Sequence, residues 1–141
     1  MKKLLKSLVT IAVTATMAFC VAGCKPYASL EDYINSDTIQ SEVKSINEEN
    51  GDEAVMVIKA EGDTLVYEYT LKETIEEEDL EYYHDTFESY LKSTESTFVD
   101  IANSLDDVTN VKEPAVAVRY LNSDGSVIYE TEYAATEWLL L

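Results

Sequence analysis

The chain has 141 residues, 46% of them hydrophobic, which is enough to bury one core, and nothing in it suggests two domains. It carries 10 Lys and Arg against 28 Asp and Glu, a formal charge of −18. So acidic a surface repels polyphosphates and excludes nucleic acid as a partner. It is also repelled by anionic lipid headgroups within a Debye length of about 8 Å, so its charge does not hold it at a membrane.

The first 24 residues read MKKLLKSLVTIAVTATMAFCVAGC. A basic start (Lys2, Lys3, Lys6) precedes an uncharged run of 17 residues, Ser7 to Gly23, interrupted by Ser7, Thr10, Thr14 and Thr16. That is short of the ~20 apolar residues a spanning helix needs, and it has the parts of a secretory signal peptide. Its exit, Val21-Ala22-Gly23-Cys24, resembles the lipobox of bacterial lipoproteins. A signal peptide cut elsewhere, or an uncleaved signal anchor, fits less well, because an A-x-A exit is not the best match here.

The resemblance implies that Cys24 receives a diacylglycerol as a thioether. A peptidase that recognises Val21, Ala22 and Gly23 then removes residues 1–23. Two acyl chains anchor stably, at about 0.8 kcal/mol per buried methylene. Cys20 leaves with the apolar run, so the mature domain has no disulfide. Without the three leader lysines the balance is 7 basic against 28 acidic residues, or −21. Residues 24–28 form a short tether, residues 29–133 a domain, and residues 134–141 an apolar tail.

Ser29 is a helix N-cap with Asp32 three residues on, and Leu30, Tyr33 and Ile34 follow. A second start at Ser36 or Asp37 leads to Ile39, Val43 and Ile46 at helical spacing. Residues 29–48 therefore read as one helical region broken near Asn35. Two strands come next. With Gly62-Asp63 as a two-residue loop, Met56, Ile58 and Ala60 share a face with Leu65, Tyr67 and Tyr69. Val57, Lys59, Val66, Glu68 and Thr70 take the other face. A one-residue slip would put Lys59 among the tyrosines.

Thr74 and Glu77 make a capping box, and Glu76 to Asp79 sit at the positive end of the following helix dipole. Leu80, Phe87, Leu91, Phe98, Ile101 and Leu105 continue an apolar stripe for about seven turns. His84 and Thr94 occupy two positions of that stripe, which predicts packing on the protein's own sheet in preference to a coiled-coil dimer. A second hairpin turns at Asp124-Gly125 as a type I′ loop. That register sets Val116, Val118 and Tyr120 beside Tyr129, Thr131 and Tyr133, with Arg119 across from Glu130 on the opposite face. The predicted fold is α+β in two layers: a four-stranded antiparallel sheet with two helices on one face, in the order αββαββ.

From Ser29 to Tyr133 the chain is similar to a family of small uncharacterised lipoproteins of Gram-positive anaerobes, a domain of unknown function. The segments that carry the likeness are S-L-E-D-Y-I (29–34), S-T-F-V-D-I-A-N-S-L (96–105) and R-Y-L-N-S-D-G-S-V-I-Y (119–129). The resemblance implies a Gram-positive outer leaflet as the address and brings no activity with it.

Catalytic patterns are missing. His84 is the only histidine, and its place on the helical stripe makes it a core-edge side chain. With no H-E-x-x-H and no cysteine cluster, zinc is not expected, and no other metal or cofactor is implied beyond the lipid on Cys24. Asn122-Ser123-Asp124-Gly125 lacks the distal Glu of a calcium loop and reads as a hairpin turn. Glu76-Glu77-Glu78-Asp79 point in different directions on a helix and cannot close around one ion. The ten tyrosines read mainly as core.

Glu137-Trp138-Leu139-Leu140-Leu141 holds the only tryptophan and would be adhesive if exposed. Docking on its own domain is the default, with contact to a partner or the membrane as the alternative. Together these readings predict a non-enzymatic, extracytoplasmic, lipid-anchored binding module. It is expected to be monomeric, with the membrane as a partner and an envelope protein as a further candidate. The competing expectations are an envelope hydrolase using two convergent carboxylates, and an inhibitor or chaperone of another protein that acts through a patch around Trp138.

Overall fold

The structure, a computed structural model, describes residues 27–135. In chain order the elements are α1 (Leu30–Ile34), α2 (Asp37–Asn50), β1 (Ala54–Glu61), β2 (Thr64–Leu71), a 3-10 turn (Glu77–Asp79), α3 (Leu80–Ser93), α4 (Glu95–Val108), β3 (Ala115–Leu121) and β4 (Val127–Ala134). The class is α+β. Two details of the expectation are corrected: the sheet is mixed and not fully antiparallel, and each helical region is divided, so four helices stand where two were predicted and the order is no longer a simple αββαββ.

The strands lie in the order β1-β2-β3-β4, with antiparallel outer pairs and a parallel β2–β3 pair in the middle. The parallel pair follows from the connection. A single helical excursion through α3 and α4 carries the chain back to the end of the sheet where β2 began, so β3 must run alongside it. An antiparallel pair would have needed the helices to fold into a hairpin and return to the end they left.

The first helical region breaks where the sequence indicated. The Ser29 hydroxyl accepts from Asp32 N at 3.1 Å. Ser36 accepts from Ile39 N at 3.4 Å to start α2 while donating to Tyr33 O at 2.7 Å. The second region was read as unbroken, and it is not. Thr94, one of the two polar residues on the stripe, donates its hydroxyl to Tyr90 O at 3.1 Å, and Ser93 donates to the same carbonyl at 2.6 Å. Side-chain donors that bond back to the helix compete with its ladder, and here they end α3. The capping box at Thr74 does not form either. Ile75 is buried, and the side chain of Asn122 accepts from its N–H and donates to its C=O, both at 2.9 Å. Helix thus begins only after this tie, and Thr74 bonds Ser123 at 2.6 Å instead.

The first hairpin has the predicted register: Met56 faces Tyr69, Ile58 faces Tyr67, and Glu61 faces Thr64 around Gly62-Asp63. Gly62 has φ 63°, a conformation that the first residue of such a loop requires. The second hairpin keeps the predicted pairs Tyr120–Tyr129 and Arg119–Glu130, but its loop differs. A bulge beyond Tyr120 pairs Leu121 with Val127, and the connection runs from Asn122 to Ser126. The extra residue turns Ile128 inward and leaves Val127 exposed.

All four helices contribute to one core on one side of the sheet. Leu30, Tyr33, Ile39, Phe87, Leu91 and Phe98 meet the inward residues of the four strands. Edge strand β1 is covered by α2, whose Asn47 side chain accepts from Met56 N at 2.7 Å and donates to Met56 O at 3.0 Å. A side-chain amide thus stands in for a neighbouring strand and closes the edge.

Candidate functional site

The two faces of the sheet carry different chemistry. On the inner face Phe87 of α3 stacks on Tyr120 with ring centroids 3.9 Å apart and planes within 4°, and Tyr69 also stacks on Tyr120, at 5.2 Å. Phe98 of α4 stacks on Tyr133 at 5.2 Å, and the Tyr133 hydroxyl donates to Leu91 O at 2.9 Å. The expectation that most tyrosines are core holds for Tyr33, Tyr67, Tyr69, Tyr83, Tyr120 and Tyr133, all buried. The hydroxyls of Tyr33, Tyr67, Tyr90 and Tyr120 are buried with no hydrogen-bond partner among the described residues. Burial pushes the phenols of Tyr33, Tyr67, Tyr69, Tyr120 and Tyr133 above their ordinary range, so they stay neutral.

The outer face carries an ion network centred on Arg119. Its Nη1 donates to Glu68 at 2.9 Å and to Glu61 at 3.0 Å, its Nη2 donates to Glu61 at 2.9 Å, and its Nε donates to Glu130. Lys59 adds ion pairs to Glu68 at 2.9 Å and to Glu61 at 3.4 Å. The bond from Arg119 holds the Glu61 carboxyl down, from an ordinary 4.5 to about 2. Burial opposes ionisation of Glu68, but the bonds from Lys59 and Arg119 prevail and keep its carboxyl low as well.

The sequence reading found the Arg119–Glu130 pair and missed the rest of the network. Parallel pairing of β2 with β3 brings Glu68 opposite Arg119, and only that topology assembles the cluster.

Glu61 and Glu68 are held ionised, whereas a general acid needs a raised pKa. Glu42 on α2 is raised, by burial, and its charge also raises the neighbouring phenols of Tyr33 and Tyr67. Among the described residues no group of three or more His, Cys, Asp or Glu side chains is arranged to hold a metal. His84, on α3, lies edge-on to Tyr129 at 5.0 Å and bonds Asp85 at 3.2 Å, half-exposed at the margin of the core. In the loop weighed as a calcium site, Asn122 turns inward to hold Ile75. Asp124 is held low by bonds from Ser126. Shallow concavities among the described residues include one of about 600 Å³ over Glu76, Glu77 and Glu78, and one of about 500 Å³ along α3 bordered by Tyr82, Asp85, Ser89 and Tyr90.

The residues predicted for lipidation (Cys24), for peptidase recognition (Val21, Ala22, Gly23) and for partner contact (Trp138, Leu139, Leu140, Leu141) lie outside the described residues. No helix among the described residues is long and apolar enough to cross a membrane. The two ends of the described chain can be placed. Tyr27 bridges Thr109 and donates its N–H to Val108 O at 3.2 Å, while Ala135 N donates to Pro114 O at 3.3 Å. Both exits therefore lie at the end of the fold where α4 gives way to β3.

The fold and these features define a small α+β domain with its four helices on one face of a mixed sheet, an aromatic interior, and on the other face an ion network beside buried Val66 and Ala117. The chain belongs to the family described as a domain of unknown function (DUF4854), whose model matches residues 30–133. No curated protein and no solved structure matches it.

Proposed function

We propose that this protein is a lipoprotein of the cell envelope, held to the outer leaflet of a Gram-positive membrane by a diacylglycerol on Cys24, and that its domain is a non-enzymatic binding module. The observation that carries the reading is Val21-Ala22-Gly23-Cys24 in register behind a basic start and a 17-residue uncharged run. Two features of the domain support it. Tyr27, only three residues beyond Cys24, is bonded to Val108 and bridged to Thr109, so a lipid on Cys24 would hold the domain directly against the bilayer. Its acidic body has no charge attraction to anionic lipid, so the covalent chains would have to supply the adhesion.

A binding role is favoured over hydrolysis because Glu61 and Glu68, brought together on the sheet, are paired with Arg119 and Lys59 and held low. The test is fractionation of cells producing the full chain or Cys24→Ala. The full chain is expected in the membrane pellet and released by detergent but not by high salt, and the variant in the soluble or secreted fraction. An unchanged distribution would remove the anchor.

A further inference from the structure

The sheet has two edges, and the chain treats them differently. The β1 edge is closed by α2 through the paired bonds of the Asn47 amide to Met56. Among the described residues no strand pairs with the outer edge of β4, which ends the order β1-β2-β3-β4. Two bonds fix which backbone groups that edge leaves open. Ala135 N–H donates across to Pro114 O at 3.3 Å, whereas Ala115 N–H points the other way, to Asp63 O just before β2, at 3.2 Å. Bonded and unbonded pairs alternate along an antiparallel ladder. With Ala115 facing Ala134 and Val116 facing Tyr133, the backbone of Tyr129, Thr131 and Tyr133 is therefore spent on β3. The N–H and C=O groups of Glu130, Glu132 and Ala134 point away from the sheet, repeating about every 7 Å, the two-residue step of an extended chain. All three residues are exposed.

Such a row of unpaired groups is a template for one more strand, and the charge around it decides which strand fits. The side chains of Glu130 and Glu132 stand on the outer face of the edge, with Glu130 across from Arg119 and Glu132 across from Ala117. On the helix side, burial first and then the charges of Tyr129 and Glu95 raise the Tyr133 phenol, which puts Glu95 near the same strand. A second copy of the chain is opposed. A two-fold antiparallel pairing centred on Glu130, Thr131 or Glu132 sets a glutamate directly opposite a glutamate in every case. Basic side chains at alternate positions of an incoming strand would meet both glutamates with the opposite charge.

We infer that the outer edge of β4 receives an extended segment of a partner protein with Lys or Arg at alternate positions, which pairs with residues 130–134 as a fifth strand and sets its basic side chains against Glu130 and Glu132. The inference deepens the binding reading above and rests on it, and it is independent of the lipid on Cys24.

The probe is a synthetic peptide of about eight residues, the length of β4, alternating Lys with Val, added to the full chain solubilised from membranes in non-ionic detergent. Amide exchange is followed residue by residue. Without peptide, the amides of Thr131 and Tyr133 should exchange slowly and those of Glu130 and Glu132 fast. At saturation the Glu130 and Glu132 amides should slow by about tenfold or more. The same peptide N-methylated at the amides that face the edge keeps its charge and should bind about tenfold more weakly, the loss expected for about two hydrogen bonds. A peptide with Glu in place of Lys should not bind. Glu132→Pro removes an outward N–H that β3 does not use, and it should weaken the Lys peptide more than Glu132→Gln, which removes only the charge.

Equal binding of the methylated peptide would overturn the inference, because charge alone would then explain the attraction, and so would no binding of the Lys peptide. Glu130 and Glu132 amides already slow in the free chain would overturn it as well, in favour of a second copy if the protein is dimeric and of another part of the chain if it is monomeric. Peptide bound without protection at Glu130 and Glu132 would remove the edge and leave the binding reading. Peptide cleavage, seen as new masses in the same sample, would remove the non-enzymatic reading and leave the edge wherever those amides are protected.

Discussion

The two faces of this one sheet are held by different forces, and they should fail at opposite ends of the pH scale. The inner face is a run of stacked rings, Tyr69–Tyr120–Phe87 and Phe98–Tyr133, stabilised by buried area and close contact. The outer face gathers Lys59, Glu61, Glu68, Arg119 and Glu130, and its energy is the balance of charge pairing against hydration. Alternating side chains along a strand let one backbone carry both designs. The interior should therefore dominate stability, while the outer network sets its dependence on acid and salt.

The largest expected effect breaks the inner face. Phe87→Ala removes the ring stacked on Tyr120 and should cost about 3–5 kcal/mol in urea unfolding, the usual range for a buried Phe→Ala change. A loss under 1 kcal/mol would mean that the stack is not a core contact. Arg119→Met, which keeps the bulk and removes the charge, should cost about 1–2 kcal/mol at pH 7, because three carboxylates are left with Lys59 alone.

The pH profile sharpens that contrast. Glu61 and Glu68 have lowered pKa values in the fold, so their contribution is present above about 4.5 and is lost as pH falls toward 2. Arg119→Met should flatten that acid limb and leave the alkaline limb unchanged. The buried phenols behave in the opposite sense. They are raised in the fold, so their contribution is present below the ordinary value of 10 and is lost as the pH climbs above it. Tyrosinate absorbance should accordingly rise together with unfolding in base, and a rise well before unfolding would show the phenols to be accessible. The smallest effect is Tyr120→Phe, which deletes a buried hydroxyl with no hydrogen-bond partner among the described residues. It should change stability by less than about 1 kcal/mol, and an increase fits better than a loss.

Much of this was legible in the residues. The period-two alternation in Met56–Ala60 and Leu65–Tyr69 gave both the strands and their register, because a slip would have buried Lys59. Ser29 and Ser36 marked the helix starts through a local hydrogen bond that depends on no distant contact. The misreadings were non-local. Asn122 stops a helix 47 residues earlier in the chain by capturing the backbone of Ile75, and no window around Thr74 contains that fact. The Arg119 network and the direction of β3 depend on where the α3–α4 excursion returns the chain. Thr94 shows the intermediate case: its polarity on an apolar stripe was visible, and its consequence, a helix cut in two, needed the bonds to Tyr90 and Leu91 to be seen.

The central claim is that this acidic domain is tied to a membrane through Cys24, and intact-mass spectrometry of the membrane fraction tests it most directly. The predicted result is a chain that begins at Cys24 and carries a diacylglycerol, with no such species from cells that make Cys24→Ala. A mature protein that retains residues before Cys24, or has a free thiol there, would contradict the account.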